Sequence, residues 1–259
     1  LDIESLEISE RNSVQVNDIS IVEIVIDYGI NLDLFENSKG FGSFILIDRG
    51  NSNTAAAGMV LEGIDSASDV VDFDFEITSE QRAALKNQKA KVVWLTGLSG
   101  SGKSTIANAC EKALFNLNRH SYVLDGDRLR HGISKDLGFS AKDRAENVRR
   151  VSEVARILLD AGLIVLVALV SPFEVDRQRA KEMFPDSDFH LVWVNTPVEI
   201  CVSRDTKGLY KKAAAGQIQN LTGMGQNYEP PSSADLIISG DDNLEKNVEK
   251  ILNLIGIQL

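Results

Sequence analysis

Eight consecutive residues, Gly97-Leu98-Ser99-Gly100-Ser101-Gly102-Lys103-Ser104, followed by Thr105, fit the phosphate-loop pattern G-x-x-x-x-G-K-[ST] in full. Ordinary composition would give such a match by chance in a chain this long about once in a hundred. The glycines let the backbone turn so that consecutive N–H groups point inward at an anion. A helix starting near Lys103 adds its positive N-terminal end. Lys103 is then placed to set its charge on the β- and γ-phosphates of a nucleotide, and the Ser104 hydroxyl to reach Mg²⁺. The pattern establishes a nucleotide site and leaves the reaction open, because GTPases, ATPase motors and small-molecule kinases all use it.

About twenty residues on, Val123-Leu124-Asp125-Gly126-Asp127 sets two carboxylates behind a short apolar run. With a strand ending at Leu124, both lie at its carboxyl edge, which faces the ligand crevice of an open α/β sheet. Asp127 is the candidate base for an attacking hydroxyl and Asp125 the candidate aid to metal or water. Ser140 offers an N-cap, with Asp143 three residues on, for a helix that carries Arg144 and Asn147 on one face. An Arg beside an amide suits an anionic group on a small substrate, and a solvated salt-bridged face would read the same way. Val170-Ser171-Pro172-Phe173 ends a further apolar run at the same edge, so Ser171 is a candidate for substrate contact, for phosphorylation, or for a plain turn. The basic stretch Arg204-Asp205-Thr206-Lys207-Gly208-Leu209-Tyr210-Lys211-Lys212 reads as a mobile lid over phosphates or as a solvated helix end.

These groups need a scaffold that brings them to one edge. From Ala90 onward the sequence alternates strand and helix: strand Lys91–Thr96, helix Ser104–Asn116, strand Ser121–Leu124, one or two helices over Ala141–Ala161, strands Leu163–Val170, His190–Val194 and Ala234–Ile238, and helix Asn243–Leu254. Continuous apolar strands between helices predict a parallel sheet covered on both faces. Residues 1–64 carry β patterning instead, at Val14–Val16, Ile19–Ile26 and Phe44–Asp48, with turn chemistry between; some five short strands predict a small barrel or part of one. Residues 65–87 read as an acidic linker followed by a short helix over Ser79–Asn87, capped by Thr78. The part with alternating strands and helices is 88–259.

Of 259 residues, 43% are hydrophobic and 25% charged, as in an ordinary globular protein, and the net charge of −11 argues against nucleic acid or an anionic membrane as partner. An acidic chain that takes anionic substrates must do so in a local basic pocket. Cys110 and Cys201 read as two reduced thiols, no Cys/His cluster has metal-ligand spacing, and the apolar run Gly162–Val170 is too short to span a bilayer. There is no signal-peptide pattern, so the expected compartment is the cytoplasm. The first residue is not Met, and the expectation is a fragment or a processed product.

Taken together, GLSGSGKST, LDGD-x-x-RHG, DLGFS-x-x-DR-x-EN-x-RR, a strand ending in SPF, and D-x-KGLYKKA-x-AG-x-I resemble adenylyl-sulfate kinase across residues 88–259. The resemblance implies transfer of a phosphoryl group from MgATP to the 3′-hydroxyl of adenosine 5′-phosphosulfate, on a P-loop NTPase fold. It implies substrate contacts from Arg130, Phe139, Arg144, Asn147 and Lys207, with Phe139 stacking on the substrate adenine, and Arg204 near the ATP base. It puts the family's SPF serine at Ser171 and a substrate-adenine contact at Leu221, where an aromatic is usual. Arg128 and Glu174 depart from the family as well, standing in place of Asn and Arg. A homodimer is implied.

Residues 1 to about 62, through Val16-Asn17-Asp18-Ile19, Gly42-Ser43-Phe44-Ile45-Leu46-Ile47-Asp48 and Ala57-Gly58-Met59-Val60, resemble the last β-barrel domain of a sulfate adenylyltransferase large subunit, an elongation-factor-like GTPase. That resemblance implies a docking or structural piece without adenylyltransferase activity, and leaves a sulfate adenylyltransferase small subunit open as a partner. Two other readings stand beside the kinase: a small-molecule kinase with a different acceptor, and a nucleotide-binding scaffold silenced at Arg128, Glu174 and Leu221.

Overall fold

The computed structural model describes residues 19–22, 24, 33–48, 52–62, 76–217 and 221–258. The chain divides into two compact units, Leu1–Phe73 and Asp74–Leu259.

In the first unit, β1 (Ser43–Ile47) and β2 (Thr54–Met59) pair antiparallel, Ser43 opposite Met59 and Leu46 opposite Ala56. The expected strand Val14–Val16, positions 23, 25 and 26 of the run Ile19–Ile26, and most of the acidic linker lie outside the described residues. Residues 19–22 and 24 belong to no strand, contrary to the β patterning read there. Such patterning marks a segment able to pair, and pairing is what makes a strand.

The second unit is a five-stranded parallel sheet: β3 (Lys91–Thr96), β4 (Ser121–Asp125), β5 (Ile164–Ala168), β6 (Phe189–Val194) and β9 (Leu236–Ile238), in the order β4-β5-β3-β6-β9. Helices cover both faces, which is why the central strands β5, β3 and β6 are apolar apart from Lys91, Thr96 and His190. On one face Val93, Leu95 and Leu166 pack against α2 (Lys103–Asn116) and α8 (Leu244–Leu254). On the other, Trp94, Val165 and Val167 pack against α4 (Ala141–Asp160) and α5 (Glu174–Glu182). The short helix α1 (Ser79–Ala84) is closed by a full capping box between Thr78 and Gln81 and stops three residues before the expected Asn87.

Several boundaries differ from the sequence expectation for local reasons. Helix α2 begins at Lys103 because Gly102, at φ 101°, is its N-cap in a conformation only glycine adopts freely. Strand β4 runs one residue past Leu124, and Asp125 is at once its last residue and the N-cap of α3 (Gly126–Arg130). Helix α4 is one continuous helix of 20 residues, capped by Ser140. Four helices were not read from the pattern: α3, α5, α6 (Val198–Arg204) and α7 (Leu209–Ala214). The same holds for the small pair β7 (Leu221–Thr222) and β8 (Gly225–Gln226). These helices run from five to nine residues. Helices this short hold too few turns to show a 3.6-residue period.

Candidate active site

All five strands point their carboxyl ends at one edge, and there the phosphate loop, α3, the start of α4, the 169–172 segment, α6–α7 and the turn after β9 surround a cavity of about 450 Å³. Its position and size are those of a ligand site in an open α/β fold.

The phosphate loop is braced from behind. The Thr196 hydroxyl donates to the Ser101 carbonyl at 2.8 Å and accepts from the Gly240 N–H at 2.8 Å. Gly240 must be glycine here, since a Cβ would stand 1.8 Å from the Ser101 carbonyl oxygen. Lys103 is buried, and its Nζ donates to the Gly97 and Leu98 carbonyls at 2.9 and 2.7 Å and to Ser101 Oγ at 3.3 Å. Burial, with the nearby charge of Lys207, lowers its pKa to about 7. An anion in the loop offsets both effects and favours the ammonium. Arg204 donates to the Gly240 carbonyl at 2.9 Å, tying the end of α6 to the turn beside the loop.

Ser104 Oγ donates to Asp125 Oδ2 at 2.6 Å, while Asp125 Oδ1 accepts from the backbone of Asp127 and Arg128. A hydroxyl and a carboxylate oxygen thus meet beside the phosphate loop. Among the described residues no group of three or more His, Cys, Asp or Glu side chains could hold a metal. A divalent ion here has two hard protein oxygens and must complete its shell with phosphate and water. That donor set fits Mg²⁺, which keeps several waters and prefers substrate phosphates to an all-protein cage.

Across the cavity, Asp127 is ion-paired with Lys207. Behind them Arg130 donates to the Leu137 and Gly138 carbonyls and stacks 4.4 Å from the centre of the Phe139 ring. Arg144 lies 5.6 Å from the same ring and donates to the Phe139 carbonyl. Its pKa falls to about 10, first through burial and then through the charge of Arg130. Two guanidinium groups sharing a half-buried corner of a chain with net charge −11 make the local basic pocket that anionic substrates require. Asn147 is buried in the same wall.

Sixteen of the residues singled out from the sequence line this cavity: Ser99, Gly100, Gly102 to Thr105, Asp125, Asp127, Arg130, Phe139, Arg144, Asn147, Ser171, Arg204, Lys207 and Leu221. Gly97, Leu98 and Ser101 sit behind it, holding Lys103. Ser171, at φ 36° and buried, is engaged from below: Trp94 Nε1 donates to its Oγ at 3.1 Å, and its hydroxyl donates to Thr96 Oγ1 at 3.0 Å. Leu221 is buried against Cys201 and Tyr210. The basic stretch is neither bare loop nor solvated end: Asp205 caps α7 by accepting from the N–H groups of Tyr210 and Lys211, and Tyr210 is buried with its hydroxyl on the Ser99 carbonyl at 2.8 Å.

Sequence reasoning passed over Gly240, Asp242, Leu244 and Asn247, which line the cavity, and Trp94, which braces it, and it named Thr206 and Tyr210 only as members of the basic stretch. A glycine two residues after the last strand, at the same edge as the phosphate loop, was the available signal for Gly240.

The adenylylsulphate kinase family matches residues 89–239, and the GTP-eEF1A C-terminal domain-like family matches residues 1–61. The bifunctional enzyme NodQ of Rhizobium tropici is 44% identical over 236 residues, which is 91% of this chain and 37% of NodQ. This chain thus spans well under half of that relative's length. The adenylyl-sulfate kinase of Shewanella halifaxensis is 50% identical over 190 residues, 73% of this chain and 93% of that protein. The structure of the Mycobacterium tuberculosis APS kinase CysC in complex with AMPPNP and APS is similar at a TM-score of 0.63 and 45% identity, covering 65% of this chain and 98% of that one.

Proposed function

The chain belongs to the adenylylsulphate kinase family, and from that premise we propose that it transfers the γ-phosphoryl group of ATP to the ribose 3′-hydroxyl of adenosine 5′-phosphosulfate. The bond from O3′ to the γ-phosphorus forms, the bond from that phosphorus to the β–γ bridging oxygen breaks, and the products are ADP and 3′-phosphoadenylyl sulfate. The observation that carries this reading is the sharing of one cavity by a full phosphate loop and, opposite it, a carboxylate backed by two guanidinium groups.

Each part follows from its geometry. The loop N–H groups and Lys103 hold the triphosphate and take up charge as it develops on the β–γ bridging oxygen. Asp127 receives the 3′-hydroxyl proton once Lys207 has moved off it to the acceptor's anionic group. Arg130, Arg144 and Asn147 hold the phosphosulfate end, and Phe139 offers a ring face to the acceptor's adenine. Ser104 and Asp125 would hold Mg²⁺, which supplies charge neutralisation between the β- and γ-phosphates. Ser171 supports the site through Trp94 and Thr96 rather than through a covalent intermediate.

In the same reading residues 88–259 are the kinase domain, 65–87 a linker, and 1–64 a docking or structural barrel piece, which the match of residues 1–61 supports. Cys110 and Cys201 are free and buried, in keeping with a cytoplasmic protein. No helix among the described residues is long and apolar enough to cross a membrane. A homodimer, and a sulfate adenylyltransferase small subunit as a further partner, belong to the proposal.

The test is a coupled ADP-release assay with MgATP and adenosine 5′-phosphosulfate, run beside adenosine 5′-monophosphate. Turnover that requires the sulfate ester and yields 3′-phosphoadenylyl sulfate is expected. ATP binding without turnover would move the chain to the scaffold reading.

A further inference from the structure

Asn247 stands in the first turn of α8, is only 1% exposed, and lines the cavity beside Gly240, Asp242 and Leu244. Its Nδ2 donates to the Ser239 carbonyl at 2.7 Å. A carbonyl can only accept, so this bond fixes which way round the amide stands and commits Oδ1 to the other side. That Oδ1 is buried and has no hydrogen-bond partner among the described residues. Buried polar atoms are nearly always paired, and an unpaired acceptor on a residue that lines a ligand cavity asks for a donor from the ligand.

The phosphate loop says which ligand part arrives there. The triphosphate lies on the loop and Lys103, and the acceptor end is marked by Asp127, Arg130 and Arg144. The donor nucleoside must leave the phosphates the opposite way, past Gly102 and Arg204 and onto the turn after β9. Arg204 and Asn247 both fasten that turn, through the carbonyls of Gly240 and Ser239. An adenine there presents a 6-amino group, which is a donor; guanine and hypoxanthine present a 6-carbonyl, which would set acceptor against acceptor.

We propose that Asn247 is a specificity-determining residue whose Oδ1 accepts a hydrogen bond from the 6-amino group of the donor's adenine, selecting ATP over 6-oxopurine triphosphates. This rests on the reading that the cavity takes a purine nucleoside triphosphate as phosphoryl donor.

The test is a calorimetric titration, without acceptor, of the wild type and Asn247→Ala with three Mg²⁺-bound triphosphates: ATP, purine riboside 5′-triphosphate, which lacks any 6-substituent, and inosine 5′-triphosphate. The wild type should bind ATP about tenfold more tightly than purine riboside triphosphate, and inosine triphosphate more weakly still. In Asn247→Ala the advantage of ATP over purine riboside triphosphate should fall below about twofold. Loosening of the Ser239 turn would weaken all three alike, so only the change in ratio counts. An equal ratio in both proteins overturns the proposal. Should the variant not fold, the wild type still decides, because equal binding of ATP and purine riboside triphosphate also overturns it. A wild type that binds none of the three fails the donor-site reading itself, which separates that failure from this one.

Discussion

The ammonium of Lys207 is ion-paired with the carboxylate of Asp127, joining the α6–α7 connection to α3 across the acceptor end of the cavity. Both side chains are about half exposed, so the pair is reachable by an incoming anion rather than locked in the core. Asp127→Asn keeps the size and removes the proton acceptor. It is expected to lower kcat by about 10²–10⁴ while leaving the ATP Kd within about twofold of wild type. Steady-state turnover with a parallel ATP titration reads both, and a weaker ATP Kd at unchanged kcat would give Asp127 a different role.

Lys103→Ala deletes the cation behind the phosphate loop. Turnover should fall by about 10² or more. Activity above a tenth of wild type in the same coupled assay would remove Lys103 from the phosphate-stabilising role.

Ser171→Ala leaves the indole N–H of Trp94 buried without its acceptor. The expected cost is about 1–3 kcal/mol of unfolding free energy, read by urea denaturation. On the proposed direct transfer, which makes no bond to Ser171, turnover should fall less than tenfold. Loss of turnover with stability intact would instead point to a chemical role for its hydroxyl.

Glu146 accepts from Arg149 and Arg150, and Arg150 also grips Asp136 and the Ile133 carbonyl, so α4 is tied to the segment leading to Phe139. The hydrogen bond from Arg149, aided by that from Arg150, pulls the Glu146 carboxyl down to about 2 from an ordinary value of 4.5. A depressed carboxylate stabilises the fold above the unfolded value and loses that contribution as pH falls through the folded one. Glu146→Gln should therefore be less stable than wild type by on the order of 1 kcal/mol at pH 6. The gap should narrow between pH 4.5 and 2. Urea melts of both proteins at pH 6, 4 and 3 check it, and a gap independent of pH would assign the effect to packing.

The parallel sheet was legible because β3, β5 and β6 are apolar almost throughout, and the loop because Gly97 to Thr105 carry their mechanism in their spacing. Asp125 and Asp127 were legible as a pair at a strand end. That Asp125 faces Ser104, and Asp127 faces Lys207, was not, because each contact joins segments whose approach only the sheet order decides. Helix α7 was hidden for a different reason. Its six residues include two lysines, and what holds it is the Asp205 carboxylate and one buried tyrosine rather than a hydrophobic stripe. Asn247 was overlooked because an asparagine in the first turn of an amphipathic helix looks like a solvated position until the turn after β9 closes over it.

Lys207 and Tyr210 stand three residues apart, on either side of Gly208 at φ 65°. One grips the carboxylate at the acceptor end, and the other hydrogen-bonds the Ser99 carbonyl in the phosphate loop. A single short stretch of chain is therefore fastened at both ends of the cavity. Thermodynamic linkage makes any coupling through it symmetrical: by whatever factor a nucleotide in the loop changes the affinity for the second substrate through this stretch, the second substrate changes the affinity for the nucleotide by the same factor.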